Sequence, residues 1–259
     1  MLRFRSLGSG STGNAALVEA TTSAGRTTRL LVDCGFGIRQ LDRRLAQAGL
    51  AAADLDAVFI THEHGDHIGC AHALSLRDRI PVWMSEGTWL ATGGRDYEGR
   101  LHLARDDAEF SVGDLCLQPF TVPHDAREPL QLRCTDGNRT LGVLTDLGHA
   151  TSHVLARLRG AHALLLEFNH DSDLLAGSAY PSFLKQRVGG NYGHLSNTAA
   201  AEIARAVLHD GLRHVVAAHL SEQNNRPEIV RRLMANALGG DEAEMLTATA
   251  AEGSPWLDV

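Results

Sequence analysis

The segment Thr61-His62-Glu63-His64-Gly65-Asp66-His67 constrains this chain more than any other. It follows Ala57-Val58-Phe59-Ile60, a short apolar run that reads as a buried strand ending abruptly at Thr61. Four side chains of metal-ligand type, His62, His64, Asp66 and His67, therefore fall within six residues at one strand end. In an extended chain, alternation sends His62, His64 and Asp66 to one side. A turn at Gly65-Asp66 brings His67 round as well. So many donors on so short a loop suit two adjacent ions better than one. The spacing differs from HExxH, in which two histidines share one helix face. A chance cluster of surface polar residues is the bland alternative, and the strand-then-cluster context disfavours it.

Two ions need further donors. His124 follows an apolar strand in Thr121-Val122-Pro123-His124, Asp146 ends Leu141-Gly142-Val143-Leu144-Thr145-Asp146, and His219 ends His214-Val215-Val216-Ala217-Ala218-His219. Singly, each reads as an ordinary structural polar residue. Together with the first cluster, the balance tips to a shared site.

The rest of the chain frames this site. Leu2 to Leu7 alternates as a strand, Gly8 to Asn14 is a loop, and Ala15 to Glu19 returns. Arg29 to Asp33 reads as a buried strand, and Ile38, Leu41, Leu45 and Ala48 follow at helical spacing. Ile68 to Leu76 reads as a helix and Pro81 to Met84 as a strand. Phe110–Val112 and Leu115–Val122 flank a Gly113-Asp114 turn, and Leu130–Cys134 and Thr140–Thr145 flank the hairpin signal Asp136-Gly137-Asn138. Later come a strand over Ala163–Phe168, a helix over Ser196–Leu208 with Ser196 or Asn197 as N-cap, a strand over His214–Ala218, and a helix over Pro227–Leu238. Hairpins with interleaved helices predict an α/β protein, an αβ/βα four-layer sandwich of two mixed β-sheets flanked by helices. No linker or low-complexity tract divides residues 1–259, so one domain is expected.

Composition excludes several alternatives. No apolar run approaches the ~20 residues of a membrane span. No apolar h-region follows Met1-Leu2-Arg3-Phe4-Arg5. The four cysteines are scattered without CxxC, which argues against a disulfide scaffold or zinc ribbon. A cytoplasmic protein with no membrane partner is expected. With 24 basic and 31 acidic residues the net charge is −7, and Lys185 is the only lysine. A chain that binds nucleic acid by bulk charge would be basic, so a polyanion must be met by a local patch or by metal.

The motif HxHxDH over 62–67, with a later His124, Asp146 and His219, resembles the ligand set of the metallo-β-lactamase superfamily. Ser6 to Asn14, Phe168-Asn169-His170-Asp171, Gly193-His194-Leu195-Ser196-Asn197 and Ala218-His219-Leu220-Ser221 with Asn224-Asn225 resemble its YycJ/WalJ-type subfamily, whose members resemble 5′-to-3′ DNA exonucleases. The resemblance implies that His62, His64 and His124 bind one divalent ion and that Asp66, His67 and His219 bind the other. Asp146 bridges both, with a water or hydroxide between them. Zinc suits such imidazole and carboxylate donors best, and manganese or iron(II) fits them too. Asp66 counts among the catalytic residues. His194, in a Gly-His turn before a helix, is the expected proton donor to the leaving oxygen, oriented by Asp171 or Glu167. His170 is divided between a supporting and a structural role. His149, His153, His72, His102, His162, His209 and His214 are expected to be structural or solvent-exposed.

Ser11 and Asn14 in the glycine-rich loop, and Asn224 and Asn225 after the last ligand, are candidate substrate contacts. Arg226, Arg231 and Arg232, or Lys185 and Arg187, are candidates for tracking a DNA backbone. Asp146 stands only 22 positions after His124, which leaves no room for the exosite arm of tRNA-processing relatives. His219 stands 73 positions after Asp146, too few for a β-CASP cap. The expected function is a di-metal phosphodiesterase, a 5′-to-3′ DNA exonuclease, acting on nucleic acid. Hydrolysis of RNA or of small (cyclic) phosphodiesters, thioester or lactone hydrolysis, and a non-enzymatic metal-binding module are the alternatives. A homodimer is left open.

Overall fold

A computed structural model describes residues 1–259. Fourteen strands follow in chain order: β1 (Leu2–Gly8), β2 (Ala15–Thr21), β3 (Thr27–Val32), β4 (Ala57–Phe59), β5 (Val82–Met84), β6 (Leu101–Leu103), β7 (Phe110–Val112), β8 (Leu115–Thr121), β9 (Leu130–Thr135), β10 (Thr140–Leu144), β11 (Ala163–Glu167), β12 (His214–Ala218), β13 (Leu246–Thr247) and β14 (Leu257–Asp258). The helices are α1 (Ile38–Gln47), α2 (Gly65–Ile68), α3 (Ala71–Asp78), α4 (Glu86–Ala91), α5 (Ser152–Leu158), α6 (Ser172–Gly177), α7 (Ser182–Val188), α8 (Asn197–Ala206) and α9 (Pro227–Leu238).

The strands form two seven-stranded sheets, ordered β14-β1-β2-β3-β4-β5-β6 and β13-β12-β11-β10-β9-β8-β7. Along the first, from β14, the neighbours pair antiparallel three times and then parallel three times. Along the second, from β7, the same sequence of pairings recurs. The two halves are thus topological copies, with β3 and β4 corresponding to β10 and β11. No sequence repeat announces this.

Alternation within the strands explains the layers. In β1 to β3, Phe4, Val18 and Leu30 enter a core shared with Leu117, Leu132 and Val143 of the other sheet. Their neighbours Leu17 and Leu31 point the other way, into a core with Leu41 and Leu45 of α1 and Leu74 of α3. On the far side, Leu164 and Leu166 of β11 pack on Val154 and Leu158 of α5, Ile203 of α8 and Val230 of α9. Both faces of each sheet are covered, which is why the central strands read as continuous apolar runs. This is the four-layer sandwich with helices outside. No helix is long and apolar enough to cross a membrane.

The main departure from the sequence reading lies just after the histidine cluster. The helix expected over Ile68–Leu76 is two helices, α2 and α3, broken at Gly69. Gly69 has φ +32°, and a Cβ there would stand 2.3 Å from the Cys34 carbonyl oxygen. The chain must touch the loop after β3 at this point, and only glycine fits. The short elements α4, α6, α7, β6, β13 and β14 also lacked a readable period, and α7 buries no residue.

Candidate metal centre and active site

The site lies where the strands end. Asp33 follows β3, Thr61 to His67 follow β4, His124 follows β8, Asp146 follows β10, Glu167 closes β11, and His219 follows β12. Three of these residues are held in the left-handed backbone region: Asp33 (φ 61°), Asp146 (φ 58°) and His219 (φ 54°). For a non-glycine residue this costs on the order of 1 kcal/mol each, and such strain concentrates at functional sites.

Hydrogen bonds fix how the histidines present themselves. Thr61 Oγ1 donates to the Asp33 carboxylate (2.9 Å), so it accepts from His62 Nδ1 (3.0 Å). His124 Nδ1 donates to the Gly193 carbonyl (3.0 Å), and His67 Nδ1 donates to Asp33 Oδ2 (2.7 Å). In all three rings Nδ1 carries a proton, and in His62 and His124, which are neutral, Nε2 turns a lone pair inward. His64 Nδ1 lies 3.0 Å from His62 Nε2 and 3.2 Å from His124 Nε2. These spacings match the edge of a tetrahedron, roughly 3.3 Å, around an ion with ligand bonds of about 2.0 Å.

The second half is acidic. Asp66 Oδ2 lies 3.3 Å from His219 Nε2 and 3.6 Å from His67 Nε2. Asp146 is buried, and its Oδ2 stands 2.9 Å from His67 Nε2. At His67 burial works downward, but Asp146 and Asp33 outweigh it and hold the ring well above the ordinary histidine range, so either a proton on Nε2 or a cation in its place meets this oxygen. The donors form overlapping groups: His62, His64 and His124; His62, His67 and Asp146; Asp66, His67 and His219; and Asp146, Glu167, His194 and His219. All seven expected ligands are therefore brought together, and the chemistry of the donors fits divalent ions.

Electrostatics divide the centre in the same way. Burial, with His67 adding to it, pushes His62 well below the ordinary histidine range, and burial also lowers His124. Both are neutral, as ligands must be. At His219, burial works downward, but Asp146, Asp66 and Glu167 outweigh it and push the ring up to about 9. At His194, burial is again outweighed, by Glu167 and Asp146, and the ring rises to about 10. Glu167 falls to about 2, its burial overcome by His194 and His219.

His194 is anchored by Glu167. Its Nδ1 lies 2.8 Å from Glu167 Oε1 and 3.3 Å from Asp146 Oδ1, while Glu167 Oε2 accepts the Leu147 (3.1 Å) and Leu195 (3.0 Å) amides. Asp171, the other candidate for orienting it, is occupied elsewhere. Its Oδ1 caps α6, accepting from the Asp173 and Leu174 amides at 3.1 and 3.0 Å.

Three of the four candidate substrate contacts also turn inward. Asn14 is buried and ties the glycine-rich loop to the centre: Nδ2 contacts Gly10 O (3.1 Å) and Asp66 O (3.2 Å), and Oδ1 accepts from the Gly10 amide. Asn225 is buried and spends its amide on Phe168 O, Asn169 O and Asn197. Asn224 is fully buried. Ser11 alone stays exposed, at the loop tip. His149 Nδ1 donates to Asn191 O (2.9 Å), His153 contacts Asp106, and His170 is buried with Nδ1 unpartnered.

Sequence reasoning missed Asp33. Its signal was present: it ends an apolar strand as Asp146 does, at the corresponding position of the other sheet.

The His194–Glu167 pair makes a pH prediction for metal-free protein. A histidine raised to about 10 stabilises the fold fully below its ordinary value near 6.5 and loses that contribution as pH climbs through 10. At the acid end, Glu167 loses its contribution as pH falls from 4.5 to about 2. Glu167→Gln is expected to bring the His194 titration, followed by NMR, several units down toward 6.5. An unchanged midpoint would mean that Glu167 does not hold the proton there.

A family model for the beta-lactamase superfamily domain matches residues 28–220. The chain is 33% identical over 241 residues to exodeoxyribonuclease YycJ of Bacillus anthracis, spanning 92% of this chain and 89% of that protein. It is 32% identical over 241 residues to exodeoxyribonuclease WalJ of Streptococcus pneumoniae, spanning 91% and 88%. Among solved structures, the metallo-beta-lactamase fold protein YhfI from Bacillus subtilis superposes with a TM-score of 0.75 at 18% identity, over 100% of both chains. That last likeness speaks for the fold alone. By its two sheets, its strand-end donors and these matches, the chain belongs to the metallo-β-lactamase superfamily, in its YycJ/WalJ-like group.

Proposed function

We propose that this protein is a metal-dependent phosphodiesterase that trims DNA from a 5′ end. The observation that carries the reading is the buried Asp146 carboxylate, which belongs to two overlapping donor groups. The 33% identity to a protein named as an exodeoxyribonuclease directs it to DNA. In this reading His62, His64 and His124 hold one divalent ion, Asp66, His67 and His219 hold the other, and Asp146 bridges. Zinc is the first candidate. When bound, the ions lower the pKa of a water toward neutrality and take up charge on the phosphate. The reading treats residues 1–259 as one cytoplasmic unit without cap or arm.

The chain's own residues do the remainder. Glu167 keeps Nδ1 of His194 in place, so the opposite edge of the ring carries the proton for the departing oxygen. In the metal-free protein burial is outweighed by Glu167 and Asp146, which raise His194 to about 10 and favour its protonated form. Asn14 and Asp33 position Asp66 and His67 rather than substrate.

The approach to the site fits a polymer. The two large aromatic side chains that stand exposed, Phe183 (71%) and Tyr192 (63%), lie in the segment that leads to His194. The Tyr192 carbonyl accepts the amide of Asp125, next to His124 (2.8 Å). An exposed ring on the chain tied to the residue after His124 suits stacking on unpaired bases, which is worth about 1–3 kcal/mol per base. Arg187 on α7 is exposed, and its pairing with Asp125 links this surface to the centre. With a net charge of −7, such a local patch must do the work of bulk charge. Cleavage of RNA or a small diester is the second reading, and thioester or lactone hydrolysis the third.

A substrate panel separates them. Metal-loaded protein is expected to degrade linear DNA in preference to RNA or bis(p-nitrophenyl) phosphate, with KM rising steeply with salt; intact DNA beside a turned-over small diester would overturn the reading. Tyr192→Ala is expected to raise KM for DNA roughly 5- to 150-fold while Tyr192→Phe recovers it. His194→Ala is expected to cut kcat on DNA by about 10²–10⁴, and far less on a nitrophenyl diester whose leaving group needs no proton. Equal losses on both substrates would remove His194 as the donor.

A further inference from the structure

The four cysteines are free, and two of them meet behind the candidate centre. Cys34 follows Asp33 at the end of β3, and Cys70 follows Gly69 between α2 and α3. Their sulfurs are 3.3 Å apart. The main chains are already fastened at this place: the Cys34 amide donates to the His67 carbonyl (2.7 Å), and the Cys70 amide donates to the Cys34 carbonyl (3.1 Å). Cys34 is fully buried and Cys70 half-buried, so a small solute reaches Cys70 first. The other two cysteines offer no such pair. On the facing strands β8 and β9, Cys116 stands opposite Thr135 and Cys134 opposite Leu117, one step out of register. Side chains one step apart point to opposite faces of a sheet.

We propose that Cys34 and Cys70 form a modification site, a dithiol that hydrogen peroxide converts to a disulfide. The Cys70 sulfur attacks one peroxide oxygen. An S–O bond forms, the O–O bond breaks, and one water leaves, giving the sulfenic acid. The Cys34 sulfur then attacks the Cys70 sulfur. The S–S bond forms, the S–O bond breaks, and the thiol proton of Cys34 leaves with the hydroxyl as a second water. Two thiols are oxidised by two electrons, and one peroxide is reduced to two waters. Fully reduced, the pair is the form described above.

The link acts on the centre through geometry. A disulfide has an S–S distance of about 2.05 Å, so the sulfurs must close by more than 1 Å from 3.3 Å. Cys34 is joined to Asp33, whose carboxylate holds His67, and Cys70 is joined through Gly69 to α2, which carries Asp66 and His67. There is little slack. A Cβ on Gly35 would stand 1.7 Å from the Asp66 carbonyl oxygen, and one on Gly69 2.3 Å from that of Cys34. The pull therefore reaches Asp66 and His67, and a displacement of about 1 Å in such a site costs up to a hundredfold in rate. Oxidation switches the enzyme down, and a thiol reductant restores it.

The cross-link is read without substrate, so its outcome is independent of the hydrolase reading. The full-length protein, treated with a few equivalents of hydrogen peroxide, is expected to lose two hydrogens in mass, and alkylation afterwards is expected to leave Cys34 and Cys70 unlabelled. Proteolysis is expected to yield a peptide joining Cys34 to Cys70, cleaved again by reductant. Cys70→Ser is expected to form no link, and Cys34→Ser to carry Cys70 on to sulfinic acid. Recovery of Cys34 and Cys70 separately alkylated, or joined to Cys116 or Cys134, would overturn the proposal. Linked protein is expected to lose roughly ten- to a hundredfold in activity and regain it on reduction, while Cys70→Ser keeps its own activity under peroxide. Linked protein as active as reduced protein would overturn the switch.

Discussion

Everything at this centre turns on the grip on His67. Its Nδ1 is held by Asp33 at 2.7 Å and its Nε2 faces Asp146 at 2.9 Å. The two aspartates end corresponding strands, β3 and β10, of sheets that are copies of each other in topology, and both are forced into the left-handed backbone region, at φ 61° and 58°. They act differently because they meet different nitrogens of the ring. Asp33 receives the Nδ1 proton and serves as a positioning group. Asp146 faces the other nitrogen, where either a ring proton or a cation in its place can meet it. One structural duplication thus sets two carboxylates on the two nitrogens of one ring.

The fold makes this asymmetry affordable. Both sheets are covered on both faces, so the strands that end at the centre are anchored along their length by the shared core and the two outer ones. Strain of on the order of 1 kcal/mol at each left-handed residue is small against such burial. Glu167 extends the logic to the neighbouring strand, with one oxygen on two main-chain amides and the other on His194 and His219. Four carboxylates, of Asp33, Asp66, Asp146 and Glu167, crowd a protein of net charge −7. In the metal-free protein the raised rings of His194 and His219 offset part of that charge.

What the sequence disclosed, and what it withheld, follows from range. His62, His64, Asp66, His67, His124, Asp146 and His219 could be read because each lies at the end of an apolar run, a local pattern. The layers could be read because alternation and apolar runs are local as well. Asp33 carried the same strand-end signal but stood without a histidine beside it. The choice between Asp171 and Glu167 was not readable, because it depends on how the loop before His194 packs on β11. Asn14 and Asn225 look like substrate contacts in a sequence, and only the folded chain reveals that Asp66, Asn169 and Asn197 consume their amides. The break at Gly69 depends on a carbonyl 35 residues away, at Cys34, and no periodicity can report that.

The most direct measurement is anomalous diffraction from crystals grown with zinc or manganese. Two peaks about 3.5–4 Å apart are expected, one among His62, His64 and His124, the other among Asp66, His67 and His219, with the Asp146 carboxylate touching both. A single peak at full occupancy, or two peaks with Asp146 turned away from either, would contradict the bridging role on which the rest depends.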